Sequence, residues 1–331
     1  MLLFISKKIG IFITFMFLLS IFTFTLSRLT PGDPLQSFYG DRVERMSMAE
    51  QIAARERLGL DASLATQYEI WLKNSLHGDF GISFKYGQPA VDILSTLLGN
   101  TLLLGIAAYI LVFFLAILLA VLCALYEDTF LDKSICKLGT IVFYLPTFWI
   151  GLVFILLFSV NLHWLPSGGA YDIGQSDHIL NRLRHMILPL IVMVMSHLWY
   201  YAYMIRNKLL DEVRKDYVLL AKAKGLSRQQ IIWKHCLRNV APSIISLMAI
   251  SVSHILSGTY VVEAVFSYPG IGALSVESAK YHDYNLLMLI VLLTGALIIS
   301  TSLLAQTINE RLDPRMRAEE AGLWNNATKT L

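Results

Sequence analysis

Five polar side chains lie inside long apolar stretches of this chain, where a polar group is costly unless it has a partner. Imidazole and hydroxyl groups can contact a polar solute or a metal chelate, and imidazole suits nickel, so these residues are candidates for lining a path through the protein. The same groups can instead form hydrogen bonds between packed helices, and that interpretation stays open. The five residues are His197, Tyr200, Ser253, His254 and Ser257.

The sequence contains no motif that indicates catalysis. The chain contains no Gly-Lys dipeptide and therefore no phosphate-binding loop of the G-x-x-x-x-G-K-[ST] type. Its three cysteines, Cys123, Cys136 and Cys236, show no spacing to histidine that matches a zinc site. We therefore predict no catalytic residue, no metal site and no directly bound cofactor, and we expect no contact with nucleic acid.

The apolar stretches that position these polar groups are long enough to cross a membrane. Hydrophobic residues make up 56% of the 331 residues, charged residues only 15%, and the mean hydropathy is +0.58. A helix of about 20 residues crosses a hydrocarbon core, in which a charge is costly. We therefore expect an all-α integral membrane protein with six transmembrane helices. The six stretches without Asp, Glu, Lys or Arg are 9–27, 93–126, 138–171, 185–205, 239–262 and 284–309.

Basic residues determine the expected orientation of these spans. Residues 206–238 hold nine Lys or Arg residues, and basic loops favour the cytoplasmic side. With six spans, this segment and both termini share one side, so both termini are predicted to be cytoplasmic. Lys7 and Lys8 precede the first stretch, as in a signal peptide, but no small-residue cleavage site follows it. We interpret residues 1–30 as a retained first transmembrane helix.

Residues 31–92, which we name the cap segment, are too long for a plain connection between the first two spans. Ser47 with Glu50 predicts the start of a helix that ends near Gly59, and a second helix is predicted over residues 64–76. The segment is either a structural lid or a docking surface for an external partner. The turn-rich residues that follow the second helix include Asp79 and Phe80.

Residues 206–241, which we name the coupling segment, are predicted to form two helices joined by a sharp turn. Apolar residues recur with helical spacing over residues 209–224. Gly225 can adopt the positive φ of a helix end, and Ser227 with Gln230 predicts an immediate restart that continues to residue 239. The segment is either a solvated basic loop or a rigid element gripped by a cytoplasmic partner.

Short motifs follow one another in order along residues 1 to about 317. They are TPGDP at 30–34, LGLD at 58–61, GDFGIS at 78–83, WLPSGG at 164–169, DYVLLAKAKGL at 216–226 with HCLRN at 235–239, EAVFSYPGIG at 263–272 and DPR at 313–315. Together they resemble the B-type permease subunit of the dipeptide/oligopeptide/nickel ABC-importer family, and the 216–239 stretch resembles its EAA loop. One departure is that the opening Glu-Ala position of that loop falls on Leu219 and Leu220.

The resemblance implies a type I ABC-importer permease with a small helical external cap between helices 1 and 2. It implies half of a translocation pore in a bacterial inner membrane, and residues 93–317 would form the permease core. The implied partners are a C-type permease subunit, two cytoplasmic ATPase subunits that use the ATP, and an extracytoplasmic solute-binding protein. The tail, residues 318–331, is expected to be a disordered extension. The implied ATPase-coupling residues are Asp216, Ala221, Gly225, Leu226 and Arg228, and the implied external gate or docking residues are Asp79, Phe80, Glu263, Pro269 and Gly270.

The substrate class stays open between small peptides and nickel or another metal chelate. Within the resemblance, the residues at 162–169 and their spacing to 184–189 favour peptides. A stand-alone secondary transporter or channel is the alternative from another class. It would need an ionisable residue within a span to carry coupling ions, whereas only His occurs there, and no inverted repeat is evident.

Overall fold

The protein is helical throughout the residues that its computed structural model describes, which are 2–29, 35, 39–57, 61–83, 85–176 and 178–312. Up to the middle of the chain, the helices are α1 (Leu2–Leu29), α2 (Met48–Arg57), α3 (Leu64–Leu76), α4 (Ala90–Leu125), α5 (Phe130–Phe143) and α6 (Thr147–Phe154), which continues as a π turn to Asn161. They are followed by α7 (Ile179–Val213), α8 (Asp216–Ala223), α9 (Arg228–Ile231), a π turn (Ile232–Cys236), α10 (Leu237–Val265), α11 (Ile271–Lys280) and α12 (Tyr284–Leu312).

Five helices in the described part of the chain are long and apolar enough to cross a membrane. They are α1, α4, α7, the continuous helix from α9 to α10, and α12. The predicted stretch 138–171 does not form one such helix, because α5 and α6 are bent by 95° relative to each other. Pro146 explains the break, since it has no N–H to donate and disfavours a helical conformation at Leu145. Counted as one broken span, this pair supplies the predicted sixth.

The chain divides into two compact units, and the first comprises residues up to 102 together with 269–299. Within it, α3 packs against α1 through an aromatic cluster. The Tyr68 hydroxyl lies 2.7 Å from Oγ of Ser20, and the rings of Tyr68 and Trp71 lie 5.4 and 5.8 Å from that of Phe24. The predicted helix over 64–76 is therefore confirmed, and its apolar side covers α1.

Local capping explains where the helix before α3 begins. The backbone N–H and the hydroxyl of Ser47 donate to Oε2 of Glu50 at 2.7 and 2.8 Å, so the predicted capping box is present. The hydrogen bond from the Ser47 backbone is the main reason that the pKa of Glu50 lies below its usual range. A preceding 3-10 turn, Gly40–Arg45, was not predicted. The predicted helix end at Gly59, the motifs at 30–34 and 313–315, and the tail 318–331 lie outside the described residues.

The second unit comprises residues 103–268 and those from 300 onward, and its core joins α4, α7 and the helices of the coupling segment. Large side chains from these helices are almost fully buried together, which fixes the coupling segment to the membrane helices. The largest of these side chains are Tyr201, Ile205, Leu209, Ile231 and Ile232.

Two predictions for the coupling segment are wrong in detail. The helix over 209–224 is interrupted, because α7 ends at Val213 and Lys215 is extended, with ψ at 152°. Glu212 holds this break, since its carbonyl accepts from the Lys215 N–H at 3.2 Å and its Oε2 lies 2.6 Å from Nζ of Lys215. The second helix does not end at residue 239, since it continues through the π turn into α10 and reaches Val265.

Candidate functional site

The turn between α8 and α9 has the geometry that the sequence predicts. Gly225 has φ at +80°, and its N–H donates to the Lys222 carbonyl at 2.9 Å. The capping box of α9 is also present, with the Ser227 N–H donating to Oε1 of Gln230 at 3.0 Å. A Cβ on Gly225 would meet no atom within 4 Å, so only the positive φ constrains this position. Leu226, half-buried, donates its N–H to the Ala221 carbonyl at 3.2 Å.

The helix α8 has one buried face and one exposed apolar face. Val218 and Ala221 are buried against the core of the second unit. Leu219 and Leu220 are 62% and 57% exposed. Two adjacent exposed leucines in the middle of a short helix are typical of a contact surface, whereas the sequence alone marks them only as a departure from a motif. Asp216, in the first turn of α8, is exposed as well.

Arginines attach the coupling segment to the end of α4. Glu127 accepts from Arg214 at 3.0 Å and from Arg228 at 3.1 Å, and Arg228 also donates to the Ala124 carbonyl at 2.8 Å. The predicted coupling residue Arg228 therefore anchors the segment, and Ala221 supports it by packing. Among the predicted coupling residues, Asp216, Gly225 and Arg228 are exposed.

The two histidines predicted to line a path lie between α7 and α10. His197 Nδ1 lies 2.9 Å from the Met193 carbonyl oxygen, and its Nε2 lies 3.3 Å from the His254 carbonyl oxygen. Both ring nitrogens of His197 thus face backbone acceptors, one in each helix. His254 Nδ1 lies 3.1 Å from the Tyr201 hydroxyl, and the His254 side chain is exposed. The bridging interpretation describes the observed contacts of His197, whereas His254 remains accessible.

The other path candidates differ in what they contact. The ring of Tyr200 lies 6.2 Å from that of Phe143 and 6.4 Å from that of His254. Ser253 donates its hydroxyl to the Ile250 carbonyl of its own helix at 2.8 Å, and Ser257 is exposed. The structure therefore brings Tyr200 and His254 together, and a role in a translocation path stays a prediction for all of them.

The predicted external residues fall in both units. Within the first unit, Phe80 packs against the buried cluster that includes Ile271, and the exposed Asp79 accepts from the Gly81 N–H at 2.9 Å. Pro269, beside the buried Gly270, accepts from Nδ2 of Asn100 at 2.9 Å. In the second unit, Glu263 is only 1% exposed. The Glu263 side chain therefore lies in the interior of that unit, and an external gate or docking role stays a prediction for these residues.

A polar cluster that the sequence did not predict joins the cap segment to α11. Lys85 forms an ion pair with Glu277, the Tyr86 hydroxyl donates to Oε2 of Glu277 at 2.8 Å, and Nζ of Lys85 lies 4.3 Å from the Tyr281 ring centre. Partial burial alone would raise the pKa of Glu277, but the hydrogen bonds from Lys85 and Tyr86 hold it below its usual range. Burial and the Glu277 hydrogen bond raise the pKa of Tyr86 to about 12.

A tight loop follows the π turn after α6, within the WLPSGG motif. The Gly169 N–H donates to the Phe266 carbonyl at 2.9 Å, and a Cβ on Gly168 would lie 2.3 Å from that carbonyl oxygen. His185 contacts the Gly168 carbonyl at 2.9 Å and Asp172 at 3.3 Å. Hydrogen bonds, chiefly from the Asn181 side chain and then from His185, hold the pKa of Asp172 below its usual range. Glycine at 168 is therefore required by a close backbone approach.

The membrane-length helices define a class, that of multi-pass helical membrane proteins, and the coupling segment adds a helix–turn–helix to it. Residues 116–318 match the family described as binding-protein-dependent transport system inner membrane component, and residues 1–105 match the N-terminal part of such components. The chain belongs to this family. It is therefore a multi-pass membrane component of a transport system, as the resemblance implied.

Relatives and a solved structure agree with this membership. The chain is 32% identical to the oligopeptide transport system permease protein AppB of Bacillus subtilis (strain 168), over 90% of this chain and 94% of that protein. It is 31% identical to the di/tripeptide transport system permease protein DppB of Pseudomonas aeruginosa (strain UCBPP-PA14), over 96% of this chain and 99% of that protein. The inward-facing MetNI methionine ABC transporter is similar in fold, with a TM-score of 0.54 at 14% identity, over 67% of this chain and 97% of that one.

Proposed function

We propose that this chain forms half of the translocation pore of an ATP-driven importer for small peptides. The relatives named as oligopeptide and di/tripeptide permeases, similar over nine tenths or more of the chain, support the substrate class. The chain acts as a pore subunit and carries out no chemistry of its own, so ATP hydrolysis comes from partner subunits. A stand-alone transporter or channel is disfavoured, because the family works with a binding protein.

The observation that carries this proposal is the two-faced helix α8. Its buried face, with Val218 and Ala221, and the arginine anchors on Glu127 couple it rigidly to the membrane helices. Its exposed face presents Leu219 and Leu220, which a partner protein would bury. A rigid helix with an exposed apolar face transmits the movement of an ATPase subunit to the spans, because packed elements move as rigid bodies. Two ATPase subunits bind, one on this chain and one on a C-type permease partner.

Orientation follows from the basic residues of the coupling segment. Nine Lys or Arg residues in 206–238 favour a cytoplasmic location for that segment and for both termini, in the inner membrane of a bacterial cell. The cap segment and the residues around Pro269 then face outward, where a solute-binding protein delivers the substrate. A cysteine placed at Gln88 in a background without the three native cysteines is labelled by an impermeant thiol reagent in intact cells, and one at Gln229 is not. The opposite pattern would contradict this topology.

Import of nickel or another metal chelate is the second candidate, and the contacts of His197 disfavour it. Both ring nitrogens of His197 face backbone carbonyl oxygens, which leaves neither directed at a metal ion. The exposed His254 could contact a substrate, but a single imidazole is a weak basis for metal selectivity.

The function is tested by reconstitution. The chain is co-purified with its C-type permease and ATPase subunits, placed in proteoliposomes and supplied with the binding protein. We expect ATP-dependent uptake of a labelled di- or tripeptide. Unlabelled peptide should reduce this uptake by competition, and nickel should not. Uptake without the ATPase subunits would support a stand-alone transporter, and competition by nickel alone would support chelate import.

A further inference from the structure

Three side chains that can bind a metal ion meet where α4 turns back into α5. Cys123 comes from the end of α4, and Asp132 and Cys136 lie four residues apart on one face of α5. Their two sulfur atoms and a carboxylate oxygen all lie within 4.8 Å of one another. Cys123 and Asp132 are each 2% exposed. The residues from 126 to 129 reverse the direction of the chain and bring α5 back beside the end of α4. Because the cluster depends on this reversal, the spacing of the three residues in the sequence did not predict it.

We propose that Cys123, Asp132 and Cys136 form a binding site for one thiophilic divalent cation, zinc in the first instance. Zinc binds thiolate sulfur at about 2.3 Å and carboxylate oxygen at about 2.0–2.2 Å, in a tetrahedral arrangement. Sγ of Cys136 already lies 3.6 Å from Oδ1 of Asp132, close to the separation of two ligands on one such ion. The ion displaces the two thiol protons, which pass to the surrounding water, and small side-chain rotations bring the three ligands to bonding distance.

Arg206 supplies the outer shell that such a site needs. Its Nε donates to Oδ1 of Asp132 at 2.8 Å, and its Nη2 donates to Oδ2 at 2.6 Å. The Asp128 N–H also donates to Oδ2, at 3.1 Å. Hydrogen bonds of this kind fix a ligating carboxylate in place. Two thiolates and one carboxylate are balanced by a divalent cation and the guanidinium of Arg206, so the complete cluster is neutral in a poorly hydrated place.

A cavity gives the ion access and leaves room for a fourth ligand. A space of about 440 Å³ is lined by Cys123, Cys136 and Arg206 together with residues of α5 and α7. Three protein ligands with an open fourth position, filled by water, are a common zinc arrangement. An entry path and a satisfied outer shell are the features expected of a functional metal site, and both are present.

The ion would link the end of α4 to α5 and so stabilise the hairpin that these two helices form. Glu127, which holds Arg214 and Arg228 of the coupling segment, lies in the reversal between Cys123 and Asp132. Metal binding would therefore stiffen the support of the coupling segment. The binding proposal itself does not depend on the proposed transport function.

The test uses the full chain purified in detergent, with Zn²⁺ and Cd²⁺ as probes. We expect one ion per chain in competition with a chromophoric chelator, and a cadmium–thiolate absorption band in the ultraviolet. Cys123→Ser and Cys136→Ser each remove the band and weaken binding by more than about tenfold. Cys236→Ser is the matched control, because Cys236 is also buried but lies outside the cluster, and it should bind as the unchanged protein does.

Thermal unfolding separates metal binding from loss of folding. A ligand that binds the folded state raises the unfolding temperature. Zinc should therefore raise it in the unchanged protein and in Cys236→Ser, and leave it unaltered in the Cys123→Ser/Cys136→Ser double variant, whose folding without metal is verified by its own cooperative transition. Retention of a tight ion by that double variant, or no cadmium–thiolate band in the unchanged protein, would overturn the proposal.

Discussion

The imidazole of His197 in α7 fills the space that a side chain at Gly258 in α10 would occupy. A Cβ on Gly258 would lie 2.6 Å from Cε1 and 3.0 Å from Nε2 of His197. The ring cannot easily turn away, because both of its nitrogens face backbone carbonyl oxygens. Glycine at 258 and histidine at 197 thus form one packing unit that joins two membrane-length helices, as small residues do at helix crossings in membranes.

Gly258→Ala is therefore expected to destabilise the folded protein by about 1–3 kcal/mol, since the added methyl group overpacks the contact with His197. The measurement is thermal unfolding of the purified protein in detergent. Gly105→Ala is the matched control, because Gly105 also lies in a membrane-length helix but a Cβ there meets nothing within 4 Å. Equal stability of the two variants would show that the ring of His197 moves aside freely.

The Glu277 cluster predicts an acid-dependent loss of stability in the first unit. The pKa of Glu277 is lower in the folded protein than its ordinary value of 4.5, so its ionised form is favoured by folding. This contribution is present above pH 4.5 and is lost as the pH falls through the lowered pKa. Because the Glu277 side chain is 38% exposed, solvent limits the contribution of the pair to about 1 kcal/mol or less.

Glu277→Gln provides the comparison that isolates this group from the other carboxylates. At neutral pH the variant should unfold at a lower temperature than the unchanged protein. The difference between the two should shrink as the pH is lowered below 4.5. A difference that stays constant over that range would mean that ionisation of Glu277 contributes nothing to folding.

Local signals in the sequence predicted the parts of this protein that depend on neighbouring residues. The capping boxes at Ser47 and Ser227 and the turn at Gly225 were all predicted, because each requires only residues within four positions. The apolar stretches likewise predicted the membrane-length helices, since a helix in hydrocarbon is the structure that a lack of charge over about 20 residues favours.

Features that depend on distant residues were not predictable in the same way. The Asp132–Arg206 ion pair joins residues 74 positions apart, and the mixed charges of the loop around Asp132 carry no signal for it. Pro146 is visible in the sequence, but a proline within an apolar stretch indicates a kink as readily as the 95° break that is found. The exposure of Leu219 and Leu220 follows from which face of α8 the core covers, and only tertiary packing decides that.

Gly225 offers a graded test of the coupling turn. Its φ of +80° penalises a branched side chain, while the surroundings leave a Cβ free of contacts. Gly225→Val should therefore abolish co-purification with the ATPase subunits and transport, with membrane insertion intact. Gly225→Asn should retain both, because asparagine tolerates a positive φ. If the valine variant transports normally, the turn is not the pivot between α8 and α9.

The exposed leucines of α8 provide the most direct test of ATPase docking. The double variant Leu219→Asp/Leu220→Asp should fold with a free energy of unfolding within about 1 kcal/mol of the unchanged protein, because both side chains are exposed. It should nevertheless lose its ATPase subunits on purification, since the charges would have to be buried in the partner surface.

Val218→Asp is the contrasting variant on the same helix. Val218 is buried, so this change should lower the unfolding temperature itself. Retention of the ATPase by the double leucine variant would exclude this face of α8 from the docking surface.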